Sequence, residues 1–236
     1  MRLGSLAAFL LVVPGATRPL TAQSGLIPAP REFSARPALK AGQGVAFATP
    51  AATADRFAAA DLQAFLATRE VRPAPATDSR AIKVSLVRAG SAAAASVAAA
   101  RGFFTDSTRK NEGYVLVADA GRVTIVGASS AGVFYGVQTL KQLVEGRGGA
   151  AFLRGAVIRD WPAMRWRGFH DDLSRGPVPT LEFQKRQIRT FAAYKLNIYS
   201  PYFEHTLSYA ANPLIAPPGG AMTRADVRVL VAYARR

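Results

Sequence analysis

The sequence contains no cysteine, which excludes a disulfide, a thiolate nucleophile and a thiolate metal site. Histidine is nearly missing: only His170 and His205 occur, and neither stands in a spaced metal-ligand motif. Acidic residues number 15 against 30 Lys and Arg, for a formal charge of +15. Such a charge raises nucleic acid as a partner. Here, however, the basic residues are mostly Arg scattered among Ala and Gly, with no block of like charge and no basic helix. We read them as a solvated basic surface and expect no nucleic-acid partner. No apolar run reaches the roughly 20 residues that a membrane span needs. Neither G-x-G-x-x-G nor a Walker lysine is present, so no nucleotide or other cofactor is expected. What is abundant is apolar surface. Half of the 236 residues are hydrophobic, enough for the core of one large domain or two small ones.

Residues 1–22 read as an export signal, with Arg2 as the positive end, Leu3 to Val13 as the apolar core and Ala22 before the cut. Pro14, Gly15 and Pro19 argue against a buried helix there. The absence of cysteine after the apolar run excludes a lipoprotein anchor. The expected location is therefore a periplasm or the extracellular space.

Leu26 to Pro30 reads as extended, and Gly42 to Ala48 as a short strand. Thr53 to Thr68 carries Phe57, Ala60, Asp61, Ala64 and Phe65 at helical spacing, with Leu62 and Leu66 widening the apolar face. Ala81 to Arg88 alternates as a strand does, and the Ala-rich Ser91 to Ala100 reads as a loop or a frayed helix. Gly113 to Val117 and Arg122 to Val126 are β-rich runs joined by the turn Asp119-Ala120-Gly121. A Gly-rich turn then leads to a helix with Val133, Phe134, Val137, Leu140, Leu143 and Val144 on it. Such a turn can hold a phosphate at a helix N-terminus. Without a phosphate fingerprint, close packing of Gly132 and Gly136 on a sheet is the preferred reading. Residues 27–158 thus form a small α+β layer.

From Trp161-Pro162 the pattern becomes strand, helix, strand, helix. Met164 to Leu173 reads as a strand ending in Asp171 and Asp172. Thr180 caps a helix through Tyr194, Leu196 to Tyr202 is a second strand, and a loop spans His205 to Gly220. Thr223-Arg224-Ala225-Asp226 opens a last helix as a capping box. This order predicts parallel strands, with ligand-touching groups at their carboxyl ends. With Arg236 inside a helical pattern, the chain reads as a fragment of a longer protein.

Two blocks carry a resemblance. The stretch from Glu112 to Glu145 resembles the non-catalytic domain that precedes the barrel in glycoside hydrolase family 20. The stretch from Arg159 to Tyr199 resembles the opening of that family's (β/α)8 barrel, through the Asp-Trp-Pro lead-in, Arg167-Gly168, Asp172 with Ser174-Arg175, and Tyr194-Lys195-Leu196-Asn197. The implied fold is α/β: an α+β domain, then the first two βα units of a truncated TIM barrel over residues 159–236. The implied activity is exo-β-N-acetylhexosaminidase on an amino-sugar glycan. Its mechanism is substrate-assisted, the 2-acetamido oxygen attacking the anomeric carbon, so that no protein nucleophile is needed. The resemblance gives Arg167 the role of holding terminal-sugar hydroxyls, which a guanidinium fork suits. The alternative for Arg167 is an ion pair with Asp171 or Asp172. Asp172 and Arg175 match in position, with either strand-end pairing or ligand contact as their role, and His170 has only its position.

Two departures from the family pattern stand out. Its second strand usually continues as His-x-His followed by two aspartates, where this chain has Ser200-Pro201-Tyr202-Phe203-Glu204-His205. Glu204 can accept a sugar hydroxyl and His205 can relay a proton; a loop hydrogen bond between them is the plainer alternative. The family's catalytic Asp-Glu pair belongs to a fourth strand, and no residue of this sequence matches it, so the chain by itself is expected to be inactive. A carbohydrate-binding relative without hydrolysis and an α-glucuronidase-type glycosidase are the other readings. Arg167-Gly168 argues against the second.

Overall fold

The computed structural model describes residues 25–235; the export-signal reading and the last residue lie outside them. Strands and helices run β1 (Glu32–Leu39), β2 (Val45–Phe47), α1 (Arg56–Thr68), β3 (Ile82–Arg88), α2 (Ala92–Ala95), α3 (Ser107–Glu112), β4 (Tyr114–Asp119), β5 (Arg122–Gly127), α4 (Ser130–Leu143), β6 (Val144–Glu145), β7 (Phe152–Asp160), β8 (Gly168–Asp172), α5 (Leu181–Ala193), β9 (Ile198–Tyr202) and α6 (Arg224–Ala234). The protein is a mixed α/β structure with two sheets. The first has the order β1-β7-β4-β5-β3-β2, with β6 also on β7. Its β2–β3–β5 part is parallel and its β5–β4–β7–β1 part antiparallel. The second sheet is the parallel pair β8–β9, as the strand–helix–strand pattern predicts.

The β4–β5 hairpin closes on Ala120 and Gly121, both left-handed at φ 48° and 74°, the conformation a two-residue turn of this kind needs. Beyond β5, Ser129 caps α4 by accepting from the Gly132 N–H. A Cβ on Gly132 would lie 2.4 Å from the Gly113 carbonyl oxygen, and one on Gly136 would lie 2.5 Å from Ile125 Cγ2. Both positions therefore serve close packing of α4 on the sheet. The main core follows: Leu62 and Leu66 of α1, and Val133, Val137, Leu140 and Leu143 of α4, cover Leu116, Ile125 and Ile158. The other sheet face carries a smaller cluster around Phe103, Val115, Val126 and Trp161.

Two expectations are corrected, and two strands are added. α1 buries Ala58, Ala59, Leu62 and Leu66, while Phe57 is exposed. The apolar positions covered more than one stripe, and the buried one joins Ala58 and Ala59 to Leu62 and Leu66. The strand expected from Met164 is only Gly168–Asp172, because the carbonyls of Met164 and Arg165 accept from Arg167 and Asn197 side chains instead of a strand ladder. β1 and β7, paired antiparallel along the edge of the first sheet, were not foreseen.

Candidate functional site

β8 and β9 lie in register, with Gly168 beside Ile198 and Asp172 beside Tyr202. Side chains alternate across this sheet. One face turns Phe169 toward Phe191 of α5, with Tyr199 beside it, the ring centroids being 5.1 and 5.7 Å apart. On that face Tyr199 donates to Asp171 Oδ2 at 2.8 Å, which ties down the first of the adjacent carboxylates. Burial, with the Asp171 carboxylate, pushes the Tyr199 phenol well above its usual range.

The opposite face is open and carries His170, Asp172, Ser200 and Tyr202. His170 Nδ1 lies 3.3 Å from Ser200 Oγ, and its ring is 6.0 Å from that of Tyr202. At the carboxyl end, Asp172 Oδ1 accepts from the Ser174 hydroxyl at 2.5 Å and its N–H at 2.9 Å, while Arg175 Nε is 3.4 Å from Oδ2. The Ser174 hydroxyl, more than Arg175, holds the Asp172 carboxyl below its usual range. Tyr202 donates to Glu204 Oε1 at 3.0 Å, which raises the phenol, and the charges of Asp172 and Arg175 also act on it. His205 Nδ1 stands 3.9 Å from Glu204 Oε2, both side chains about half exposed. Glu204 takes a left-handed φ of 44°, uncommon for a residue with a side chain.

The carboxyl ends of the two strands thus carry Asp172 with Arg175 at β8 and Tyr202 with Glu204 at β9, with His205 beside Glu204. Acceptors and an exposed guanidinium stand there, a set suited to neighbouring hydroxyls. Tyr202 and Ser200 were not read as site residues. The alternation of period two that puts them beside Asp172 and His170 was the available signal.

Arg167 is elsewhere. It precedes β8, at the amino end of the pair, and its guanidinium is consumed within the protein. Nε donates to Lys195 O at 2.8 Å, one terminal nitrogen donates to Met164 O at 2.7 Å, and the other pairs with Glu112. Glu112 also accepts from Asn197 Nδ2 at 3.1 Å. Arg167 therefore makes no ion pair with Asp171 or Asp172; its donors are directed at main-chain carbonyls and at Glu112. It joins β8 to α3 of the first unit, the α+β part of the chain that precedes β8. Among the described residues no group of three or more His, Asp or Glu is placed to hold a metal ion, and no helix is long and apolar enough to cross a membrane.

A family model described as glycosyl hydrolase family 20, domain 2, matches residues 23–161. A β-hexosaminidase of Vibrio vulnificus is 38% identical over 92 residues, which are 39% of this chain and 10% of that protein. Among solved structures, a β-N-acetylhexosaminidase of the same family from Streptomyces coelicolor A3(2) superposes with a TM-score of 0.70 at 24% identity, covering 89% of this chain and 44% of that one. A mutant Streptomyces plicatus β-hexosaminidase, solved in complex with its product GlcNAc, gives 0.69 at 24% identity over 89% and 43% of the two chains. The chain spans less than half the length of these structures, and the likeness to them is one of fold.

Proposed function

The chain belongs to glycosyl hydrolase family 20, and from that premise we propose that it forms the first part of an exported exo-β-N-acetylhexosaminidase. The observation that carries the reading is the polar group at the carboxyl ends of two parallel strands, where barrel enzymes bind their substrates. β8–α5–β9–α6 would be the first two units of a catalytic barrel. The remaining units, with the Asp that orients the acetamido group and the Glu that acts as general acid, would come from further chain. A (β/α)8 barrel takes about 250 residues. Export rests on Arg2 and the apolar run after it.

In this reading the terminal N-acetylhexosamine rests against the open face of β8 and β9. Arg175, whose side chain is 76% exposed, donates from its fork to two adjacent hydroxyls. Asp172, already oriented by Ser174 through Oδ1, accepts a hydroxyl proton with Oδ2, and Glu204 accepts another beside Tyr202. The reaction is hydrolysis with retention, begun by the substrate's own acetamido oxygen. A sugar-binding protein without hydrolysis is the second reading, favoured by Ser200 and Tyr202 standing where the family's strand histidines are expected.

The test is hydrolysis of a chromogenic N-acetyl-β-glucosaminide and the matching galactosaminide by the protein that carries this chain, beside Arg175→Ala. Loss of a bidentate contact should lower kcat/KM by at least about tenfold. Sugar binding without turnover in the parent protein would select the second reading. Neither binding nor turnover in a folded protein would end both.

A further inference from the structure

A densely hydrogen-bonded buried polar cluster lies away from the proposed sugar-facing residues, at the joint between the two sheets. Lys195 follows α5 in a left-handed conformation, φ 63°, that a side-chain-bearing residue seldom adopts. This turn sends its ammonium back into the first unit, where the residue is 7% exposed. Nζ donates to Asp160 Oδ2 and to the Tyr114 hydroxyl, each at 2.8 Å. Tyr114 in turn donates to Asp160 Oδ2 at 2.9 Å and lies 2.6 Å from Thr139 Oγ1, while Asp160 Oδ1 accepts the Arg31 N–H at 3.1 Å. The Lys195 carbonyl is used as well, by Arg167 Nε. Two residues later Asn197 accepts the Arg167 N–H with Oδ1 and donates to Glu112 and to the Arg165 carbonyl with Nδ2.

We propose that Lys195 is a positioning residue: through Asp160 and Tyr114 on one side and Arg167 on the other, it locks the amino ends of β8 and β9 onto the first unit and so sets where Asp172, Arg175 and Glu204 stand at the other end. Each strand has five residues, so the joint acts over about 13 Å at roughly 3.3 Å per residue. An open two-stranded parallel sheet is a weak platform by itself. A buried cation whose acceptors all belong to the other unit gives it a unique seat, since any other docking leaves an ammonium and a carboxylate buried without partners. The Tyr-Lys-Leu-Asn block is in this account an inter-unit fastener, and the first unit is the base on which the site is aligned. The claim that the site moves rests on the glycosidase reading; the claim that the joint holds β8 and β9 does not.

These 236 residues contain no cysteine, so, once any cysteine in further chain is changed to serine, Lys195→Cys carries one thiol. That thiol can be alkylated in urea and refolded with either an aminoethyl group, restoring an ammonium at nearly the same reach, or an uncharged ethyl group. Hydrogen exchange of the β8 and β9 amides and the kcat and KM for a chromogenic N-acetyl-β-glucosaminide are compared for the parent and the three variant forms. We expect faster exchange in β8 and β9, unchanged protection in β4 and β5, and a fall in kcat of about tenfold to a hundredfold with a smaller change in KM, as for misplaced groups. The aminoethyl form should recover both readouts and the ethyl form neither. Equal recovery by the two groups, or no loss in Lys195→Cys, overturns the proposal. Should Lys195→Cys fail to refold, Tyr114→Phe, which removes one acceptor at constant shape, should shift both readouts in the same direction; no shift overturns the proposal equally. A parent protein without hydrolysis refutes the glycosidase reading, while exchange still decides the joint.

Discussion

Truncating Arg167 separates a structural arginine from a sugar-binding one. Arg167→Ala removes donors to three main-chain carbonyls, Lys195 O, Met164 O and Arg165 O, and strands Glu112 with Asn197 alone. The side chains of Arg167 and Glu112 are 16% and 20% exposed, so water reaches the abandoned groups only in part. Breaking a fully buried pair costs about 3 to 5 kcal/mol, and partial solvation puts this case at the low end, about 3 kcal/mol. For a chain of this size that is a fall in melting temperature of roughly 6–12 °C. Thermal melts followed by circular dichroism, repeated in urea, measure it. Glu112→Gln should lose less, because a neutral amide still accepts from the guanidinium. Replacing the pair together, Arg167→Met with Glu112→Leu, should return part of the loss, since neither charge is then left buried. An unchanged melting temperature in Arg167→Ala, accompanied by lost sugar binding, would refute the structural assignment and move the residue to the site.

Two further outcomes follow from packing and ionisation. Gly132→Ala puts a methyl group 2.4 Å from a main-chain oxygen that cannot swing away; overpacking of about 1–3 kcal/mol should outweigh the roughly 1 kcal/mol gained in helix propensity. The urea midpoint should fall, whereas Gly176→Ala, with nothing within 4 Å, should leave it nearly unchanged. Alkaline stability is set by tyrosines. Burial raises Tyr114, Tyr135 and Tyr199 above the ordinary value of 10.0, so their contribution is full below that pH and is lost as pH climbs past it, when the unfolded chain ionises and the fold resists. Lys195, lowered by burial despite Asp160, acts in the opposite sense as pH rises toward 10.5, but it is one group against these three and Tyr202, which Glu204 raises. Urea midpoints measured at rising pH should therefore decline above about pH 10; a flat or rising profile would contradict the tyrosine burial.

The resemblance gave Arg167 a sugar contact and gave Tyr194-Lys195-Leu196-Asn197 no role. In space Arg167, Lys195 and Asn197 touch one another and the first unit at the amino ends of the strands, whereas Asp172, Glu204 and His205 lie at the carboxyl ends. The misread stripe of α1 has its own cause. Phe57 and Phe65 are the larger apolar groups, but Ala58 and Ala59 are the buried ones, with Phe57 exposed and Phe65 only partly covered. β1 and β7 escaped notice for another reason: β1 is an edge strand with a register shift between Arg36 and Leu39, and Arg154, Gly155 and Arg159 interrupt the apolar run of β7.

What the sequence determined by itself is whatever short-range chemistry decides. That includes the hairpin at Ala120-Gly121, the Ser129, Thr180 and Thr223 caps, the Gly132 and Gly136 contact face, the strand–helix order that makes β8 and β9 parallel, and the exclusion of thiol chemistry. Each depends on residues a few positions apart, where φ preferences and hydrogen-bonding reach suffice. Tertiary structure alone decided which helix stripe is buried, which strands form the sheet edge, and that Arg167 meets Glu112, which lies 55 positions away, rather than Asp171 or Asp172. A guanidinium fork can bind a carboxylate, a carbonyl or a sugar hydroxyl, so its residue type names the chemistry it can perform. Only the folded chain brings it a particular acceptor.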